Sequence, residues 1–204
     1  MGSTIELIQD QFENDPDIEI FRDFDLKKYS TMRLRAQGDL ISVKSQESLG
    51  KLIKFCAEKQ LDYLILGIGA NTLLKENIRP PIIKLDLPLA EEYLSKTQDL
   101  YHLPASITLS KLSSHAVKFG MIGWEVFTGI PATLGGAVFM NAGTSLGEIG
   151  NLVESVKYFN KKGNLIERNI SSKDFVYRKN LFLQNGDVIF EVALKNLGQK
   201  KEIS

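Results

Sequence analysis

Four glycines, one proline and two short polar side chains interrupt an apolar run in Gly129-Ile-Pro-Ala-Thr-Leu-Gly-Gly-Ala-Val-Phe-Met-Asn-Ala-Gly143. Glycine lets a backbone approach a ligand closely and adopt positive φ. Pro131 suits the first turn of a helix, where its missing N–H costs nothing. A helix beginning near Thr133 would aim free amides and its positive dipole end outward, which is a site for a phosphate or diphosphate. The same spacing also describes a glycine-lined helix packed tightly on a sheet, and the segment by itself favours neither.

A second glycine turn, Gly67-Ile-Gly-Ala-Asn71, follows the apolar stretch Leu61–Leu66, which reads as a buried strand. Asp86 lies about 20 residues on, as in a dinucleotide-binding crossover. The interval argues against that fold: a parallel crossover calls for a helix, Asn71–Pro81 is too short for one, and no third glycine stands at the required place. A Walker-type loop is excluded too, because no Gly-Lys-Ser/Thr follows either cluster. Two separate glycine turns remain, and backbone amides in such turns bind anions without a lysine. A large dinucleotide-like cofactor held between two lobes is the ligand that uses both.

The elements that must position these turns follow from periodicity and caps. Residues 5–13 read as a short helix, broken at Asn14-Asp-Pro-Asp17. Ile18 to Leu40 is extended and partly alternating. Ser45 and Ser48 cap a helix whose apolar face carries Leu49, Leu52, Ile53, Phe55 and Cys56. Pro81–Leu85 and Asp99–Ala105 read as strands, and Ser110–Phe119 as a helix. Val153–Asn160 and Asn164–Arg168 form a hairpin across Lys161-Lys-Gly163. Ser171–Asp174 opens a short helix, and Val188–Leu194 is a final strand. The expected organisation is an N-terminal helical extension over 1–17, a first lobe over 18–86 and a second over 87–204.

Composition sets the remaining bounds. The chain has 204 residues, enough for a sizeable core, with 25 basic and 25 acidic side chains in balance. That balance offers no basic face for nucleic acid. The single cysteine, Cys56, excludes an internal disulfide and reads as a buried small hydrophobe. His102, in a strand, and His115, on a helix, have no ligand-spaced neighbours, so structural or surface roles are expected and no metal site. No apolar run approaches membrane-spanning length and no secretory signal opens the chain, so the expectation is a cytoplasmic protein without membrane contact.

The motifs together resemble one family. Tyr63-Leu-Ile-Leu-Gly-Ile-Gly-Ala-Asn-Thr-Leu-Leu74 is similar to the LGxGSNLL turn of the UDP-N-acetylenolpyruvoylglucosamine reductases, the MurB family. Trp124 to Gly143 resembles their GxEFxxGIPGTVGGAxxMNAG block, Phe175-Val-Tyr-Arg178 their FxYR element, and Ser30-Thr-Met-Arg33 their NTxR. The resemblance implies FAD in a two-lobed α+β fold of the vanillyl-alcohol-oxidase (PCMH) kind. It places Gly67, Ile68, Gly69, Ala70, Asn71 and Thr72 at the diphosphate. It places Gly129, Ile130, Pro131, Thr133, Gly135, Gly136, Asn141, Ala142 and Gly143 along the rest of the cofactor. In such enzymes NADPH reduces the flavin, which then reduces the enolpyruvyl group of a UDP-sugar to give UDP-N-acetylmuramate, a peptidoglycan precursor. Arg178 would stabilise developing enolate charge, for which a permanently charged planar guanidinium is suited, and Tyr177 would pack beside it.

Departures from the family pattern keep other readings open. Members continue into a third domain that binds much of the UDP-sugar and supplies a proton-donating serine and a late glutamate. Neither motif occurs here, and the reaction needs a proton donor. Ala70, Thr72, Asn180 and Arg35-Ala36 also replace the usual residues. Three readings follow: a flavin reductase of wall synthesis, an FAD-binding module working through a protein partner or as a redox sensor, and a scaffold without cofactor.

Overall fold

The computed structural model describes residues 3–29 and 32–200. The chain divides into two compact units. One comprises the chain up to Pro88 together with Phe159–Ile166 and Gln184–Val188; the other holds Leu89–Tyr158, Glu167–Leu183 and the chain from Ile189 on. The sequence-derived boundary at residue 86 does not anticipate that two later segments belong with the first unit. Of the Ser30-Thr-Met-Arg33 motif, Ser30 and Thr31 lie outside the described residues.

The first unit begins with helix α1 (Thr4–Phe12), which buries Ile5, Ile8 and Phe12. The Glu6 carboxylate accepts from the Ser3 amide at 2.7 Å, satisfying one orphan donor of its first turn. Strands β1 (Ile18–Asp25) and β2 (Gln37–Val43) then pair antiparallel. Helix α2 (Gln46–Lys59) starts at Ser45, whose hydroxyl accepts from the Ser48 amide, and ends on Gln60 in the left-handed conformation. Its buried face carries Leu49, Leu52, Ile53 and Cys56. Burial pushes the Cys56 thiol up to about 12, as befits an inert core cysteine.

Strands β3 (Leu64–Ile65) and β4 (Asn77–Leu85) correct two expectations. The stretch before the first glycine turn is not a buried strand over 61–66. Only two residues pair, and both are exposed, because β3 is the edge of the sheet order β1-β2-β4-β3. More important, β3 runs parallel to β4, with Leu64 opposite Ile82 and Ile65 opposite Ile83. The crossover between them contains no helix. The long central strand makes this possible: β4 begins at Asn77 and pairs first with β2, meeting β3 only from Ile82 on. The register against β2 shifts between Gly38 and Leu40, where Ile78 and Ile82 are the partners. Pro80 and Pro81 occupy that irregularity, where a missing amide breaks no ladder bond.

In the second unit β5 (Leu100–Pro104) leads into α3 (Leu109–Phe119), which ends at Gly120 with φ +63°. A short helix α4 (Leu134–Phe139) follows, then the small ribbon β6 (Gly143–Thr144) and β7 (Gly147–Glu148). Strands β8 (Val153–Phe159) and β9 (Leu165–Asn169) flank the turn at Gly163, as the glycine predicts. A second ribbon joins β10 (Phe175–Val176) and β11 (Lys179–Asn180), and β12 (Val188–Lys195) completes a sheet in the order β5-β12-β8-β9. Tyr101, His115, Trp124 and Phe127 form the aromatic centre of this unit. His115 bonds Tyr101 Oη at 2.9 Å and the Leu94 carbonyl at 3.1 Å, a structural histidine as expected. His102 sits on the sheet surface 3.3 Å from Glu191. No group of side chains among the described residues could hold a metal ion, and no described helix is long and apolar enough to cross a membrane.

Candidate functional site

The first glycine turn follows directly from the end of β3. Leu66 donates its amide to Ile83, and pairing then stops. Among the described residues, the next three amides, those of Gly67, Ile68 and Gly69, make no hydrogen bond. Gly69 has φ +68° and is buried. A buried amide without a partner is uncommon, because it loses its water without compensation. Three donors without partners in succession, the last of them buried and on a left-handed residue, form a nest suited to a phosphate oxygen. Ala70, Asn71 and Thr72 continue the turn and have hydrogen bonds or other partners within the protein.

The second glycine segment divides in two. Gly129 has φ +75°, is exposed, and has open space where a Cβ would stand. Ile130 and the exposed Pro131 continue this open stretch. From Thr133 onward the geometry is packing. The amides of Leu134 and Gly135 donate to Ile107 O at 2.8 Å and Ala105 O at 2.9 Å. Gly136 N reaches Thr133 Oγ1 at 3.4 Å, and Ala137 N reaches the Thr133 carbonyl. The expected anion site at this helix start is therefore corrected: α4 has six residues and its first-turn amides are already taken. A Cβ on Gly135 would lie 2.8 Å from that of Ala105, and one on Gly143 would lie 2.6 Å from Gly147 O. These two glycines permit close backbone contact. Ala142 is buried.

Asn141 belongs to the same packed part. It is 1% exposed and left-handed, with φ +46°. Its Nδ2 donates to Glu148 Oε2 at 2.7 Å and Val176 O at 3.0 Å, while its Oδ1 accepts from Gly150 N at 3.1 Å. Both Nδ2 donors and the Oδ1 acceptor are engaged by protein, so the expectation that this residue lines a cofactor is replaced by a scaffolding role.

Tyr177 and Arg178 form the turn of the β10–β11 ribbon. Arg178 has φ +57°, and its guanidinium lies 5.9 Å from the Tyr177 ring centre. Both side chains are exposed, Tyr177 at 81%. No carboxylate pairs with Arg178 among the described residues, so its charge is available. Sequence reasoning missed the residues beneath this turn: Asn180, noted only as a departure, and Gly150, which lies under the Phe175 ring. No local pattern marks either, since their partners are distant in the chain.

Two open clefts lie elsewhere in the first unit, along α2. One is lined by residues including Asp15, Ser48 and Phe55, the other by residues including Gly50, Lys54 and Phe159. Neither contains a residue of the glycine turns.

The likenesses to known proteins agree with the motifs. A family model described as "FAD binding domain" matches residues 40–169. The chain is similar to the UDP-N-acetylenolpyruvoylglucosamine reductase of Clostridioides difficile (strain 630), with 32% identity over 172 residues, 83% of this chain and 56% of that protein. It is 32% identical over 193 residues to the enzyme of the same name from Clostridium kluyveri, covering 92% of this chain and 61% of the other. The crystal structure of UDP-N-acetylenolpyruvylglucosamine reductase (MurB) from Thermus caldophilus matches with a TM-score of 0.71 and 31% identity, over 91% of this chain and 64% of that one. These matches bear out the expected α+β fold. The chain spans about three fifths of the length of the curated relatives it matches. The unpaired amides of Gly67–Gly69 are donors of the kind that suit a phosphate oxygen.

Proposed function

This chain belongs to the FAD binding domain family, with FAD as its cofactor, and on that premise we propose how its residues hold the cofactor and what they do with it. The amides of Gly67, Ile68 and Gly69 bind the diphosphate, with Ala70, Asn71 and Thr72 shaping the turn. Gly129, Ile130, Pro131 and the exposed face of α4 at Gly136 meet the remainder of the cofactor. Thr133, Gly135, Asn141, Ala142 and Gly143 support that backbone from behind. The observation that carries this reading is the run of three unpaired amides ending at left-handed Gly69.

The activity that best fits is the one its relatives are named for, reduction of UDP-N-acetylenolpyruvoylglucosamine with NADPH as reductant. FAD, when bound, supplies the hydride-transfer chemistry. The protein's part is electrostatic and positional. An enolpyruvyl group that accepts hydride gathers enolate charge beside its carboxylate, and the Arg178 guanidinium offers a fixed positive charge to meet it. The Tyr177 ring supports that guanidinium as a cation–π partner rather than as an acid. Loss of Arg178 should cost about 3 kcal/mol of transition-state stabilisation, roughly a hundredfold in rate.

A second reading is favoured by one observation, the exposure of Tyr177 and Arg178. In it the chain is an FAD-binding module, and a protein partner or a further domain completes the UDP-sugar site. Stopped-flow mixing of the FAD-loaded protein with NADPH and then with the enolpyruvyl substrate separates the two. Bleaching followed by reoxidation by substrate supports the reductase. Bleaching without reoxidation supports the module. Failure of the protein to retain or take up FAD would overturn both.

A further inference from the structure

We propose that Asn141 and Asn180 are positioning residues for Arg178, holding both strands of its ribbon against the end of α4; the proposal rests on the reading that Arg178 acts at the flavin site. Arg178 is the second residue of a two-residue turn and is left-handed at φ +57°. A non-glycine residue keeps that conformation only where its surroundings over-determine it.

Here they do so from both sides. On the incoming strand, Asn141 Nδ2 donates to the Val176 carbonyl at 3.0 Å, one residue before the turn. On the outgoing strand, Asn180 Nδ2 donates to the Phe139 carbonyl at 2.7 Å, two residues beyond Arg178. Asn180 Oδ1 then accepts from Phe182 N at 3.3 Å and Leu183 N at 2.7 Å, fixing the chain as it leaves the ribbon. Phe139 and Asn141 are near neighbours at the C-terminal end of α4, so both clamps hang from one short segment. Below the ribbon, Gly150 has no room for a side chain, since a Cβ there would lie 2.5 Å from Phe175 Cδ2. Asn141 also binds the Gly150 amide, so the same residue sets the floor and one wall.

Asn141 and Asn180 are both buried, and each satisfies donor and acceptor together. A serine at 180 would keep a hydroxyl acceptor for the Phe182 and Leu183 amides and lose the donor to Phe139 without burying a charge. This makes Asn180→Ser the mild variant and Asn141→Ala the severe one.

The test is the midpoint potential of bound FAD, measured by dye equilibration, together with thermal stability. Arg178→Ala should lower the potential, since a positive charge beside the flavin favours its reduced form; a tenfold change in a two-electron equilibrium is about 30 mV. Asn180→Ser should lower it in the same direction by part of that amount. The double variant Arg178→Ala/Asn180→Ser should match Arg178→Ala, because a clamp has nothing left to aim. A potential unmoved by Asn180→Ser while Arg178→Ala shifts it would overturn the positioning role alone. Additive shifts in the double variant would do the same. A silent Arg178→Ala would overturn the reading beneath it, and the proposal with it. Should Asn141→Ala fail to fold, the Asn180→Ser cycle still decides the matter.

Discussion

The two glycine segments look alike as sequence and differ as structure. Gly67–Gly69 ends a strand and leaves three successive amides without partners among the described residues. In the Gly129–Gly143 segment most of the glycine is spent on packing. Gly135 meets Ala105, Gly143 meets Gly147, and the α4 amides are consumed by Ala105, Ile107 and Thr133. Only the stretch at Gly129 stays open. A glycine serves either a ligand or a neighbouring backbone, and its own residue type does not distinguish the two. What distinguishes them is the destination of the surrounding amides.

The largest effect expected from this contrast is on stability. Gly143→Ala would drive a Cβ to 2.6 Å from a backbone oxygen that cannot move aside. It should cost about 3 kcal/mol, read from urea unfolding, as overpacking against a fixed group does. A loss below about 1 kcal/mol would show that this ribbon yields and that the packing assignment is wrong. Gly69→Ala and Gly129→Ala should behave in the opposite way. Each should lose only about 1 kcal/mol of stability from its left-handed backbone. Each should also weaken FAD binding about tenfold, roughly 1.4 kcal/mol, in a fluorescence titration. Equal affinity for FAD in Gly69→Ala and the parent protein would break the comparison.

A smaller effect sharpens it. Thr133→Ala removes a long N-cap bond and should cost about 0.5 kcal/mol, with FAD affinity unchanged, because α4 offers no free amide to an anion. Weaker FAD binding in this variant would return the phosphate to the helix start. The smallest effect separates the two cores by pH. Burial lowers the His115 pKa below its ordinary value, so the folded state holds it neutral while the unfolded chain still binds a proton. That contribution to stability is present above the ordinary histidine range and is lost as pH falls through it. A His115→Gln variant should show a flatter decline in urea midpoint between pH 7.5 and 5.5, within about the unfolded histidine range. Equal slopes in variant and parent would remove the assignment.

Local signals were legible where one segment carried its own cause. Ser45 caps α2, Gly163 turns the β8–β9 hairpin, and the apolar stripe of α2 is buried as its period predicts. Cys56 was legible as a core residue by the same logic. The parallel pairing of β3 with β4 was not, because a rule about short crossovers assumes that both strands pair along their length. Here β4 has already run past Gly38 before β3 joins it. The exposed, two-residue β3 was missed for a related reason: hydrophobicity says that a segment can be buried, and sheet order decides whether it is.

The sequence by itself determined the helices, their caps, the hairpin and the family, since each rests on residues near one another along the chain or on an ordered set of motifs. Only the tertiary structure decided which glycines face open space and which face protein, and that Asn141 spends its amide on Glu148 and Val176. The physical reason is that hydrogen-bond satisfaction is settled between partners distant in sequence. Whether a polar group is left for a ligand is known only after those partners have met.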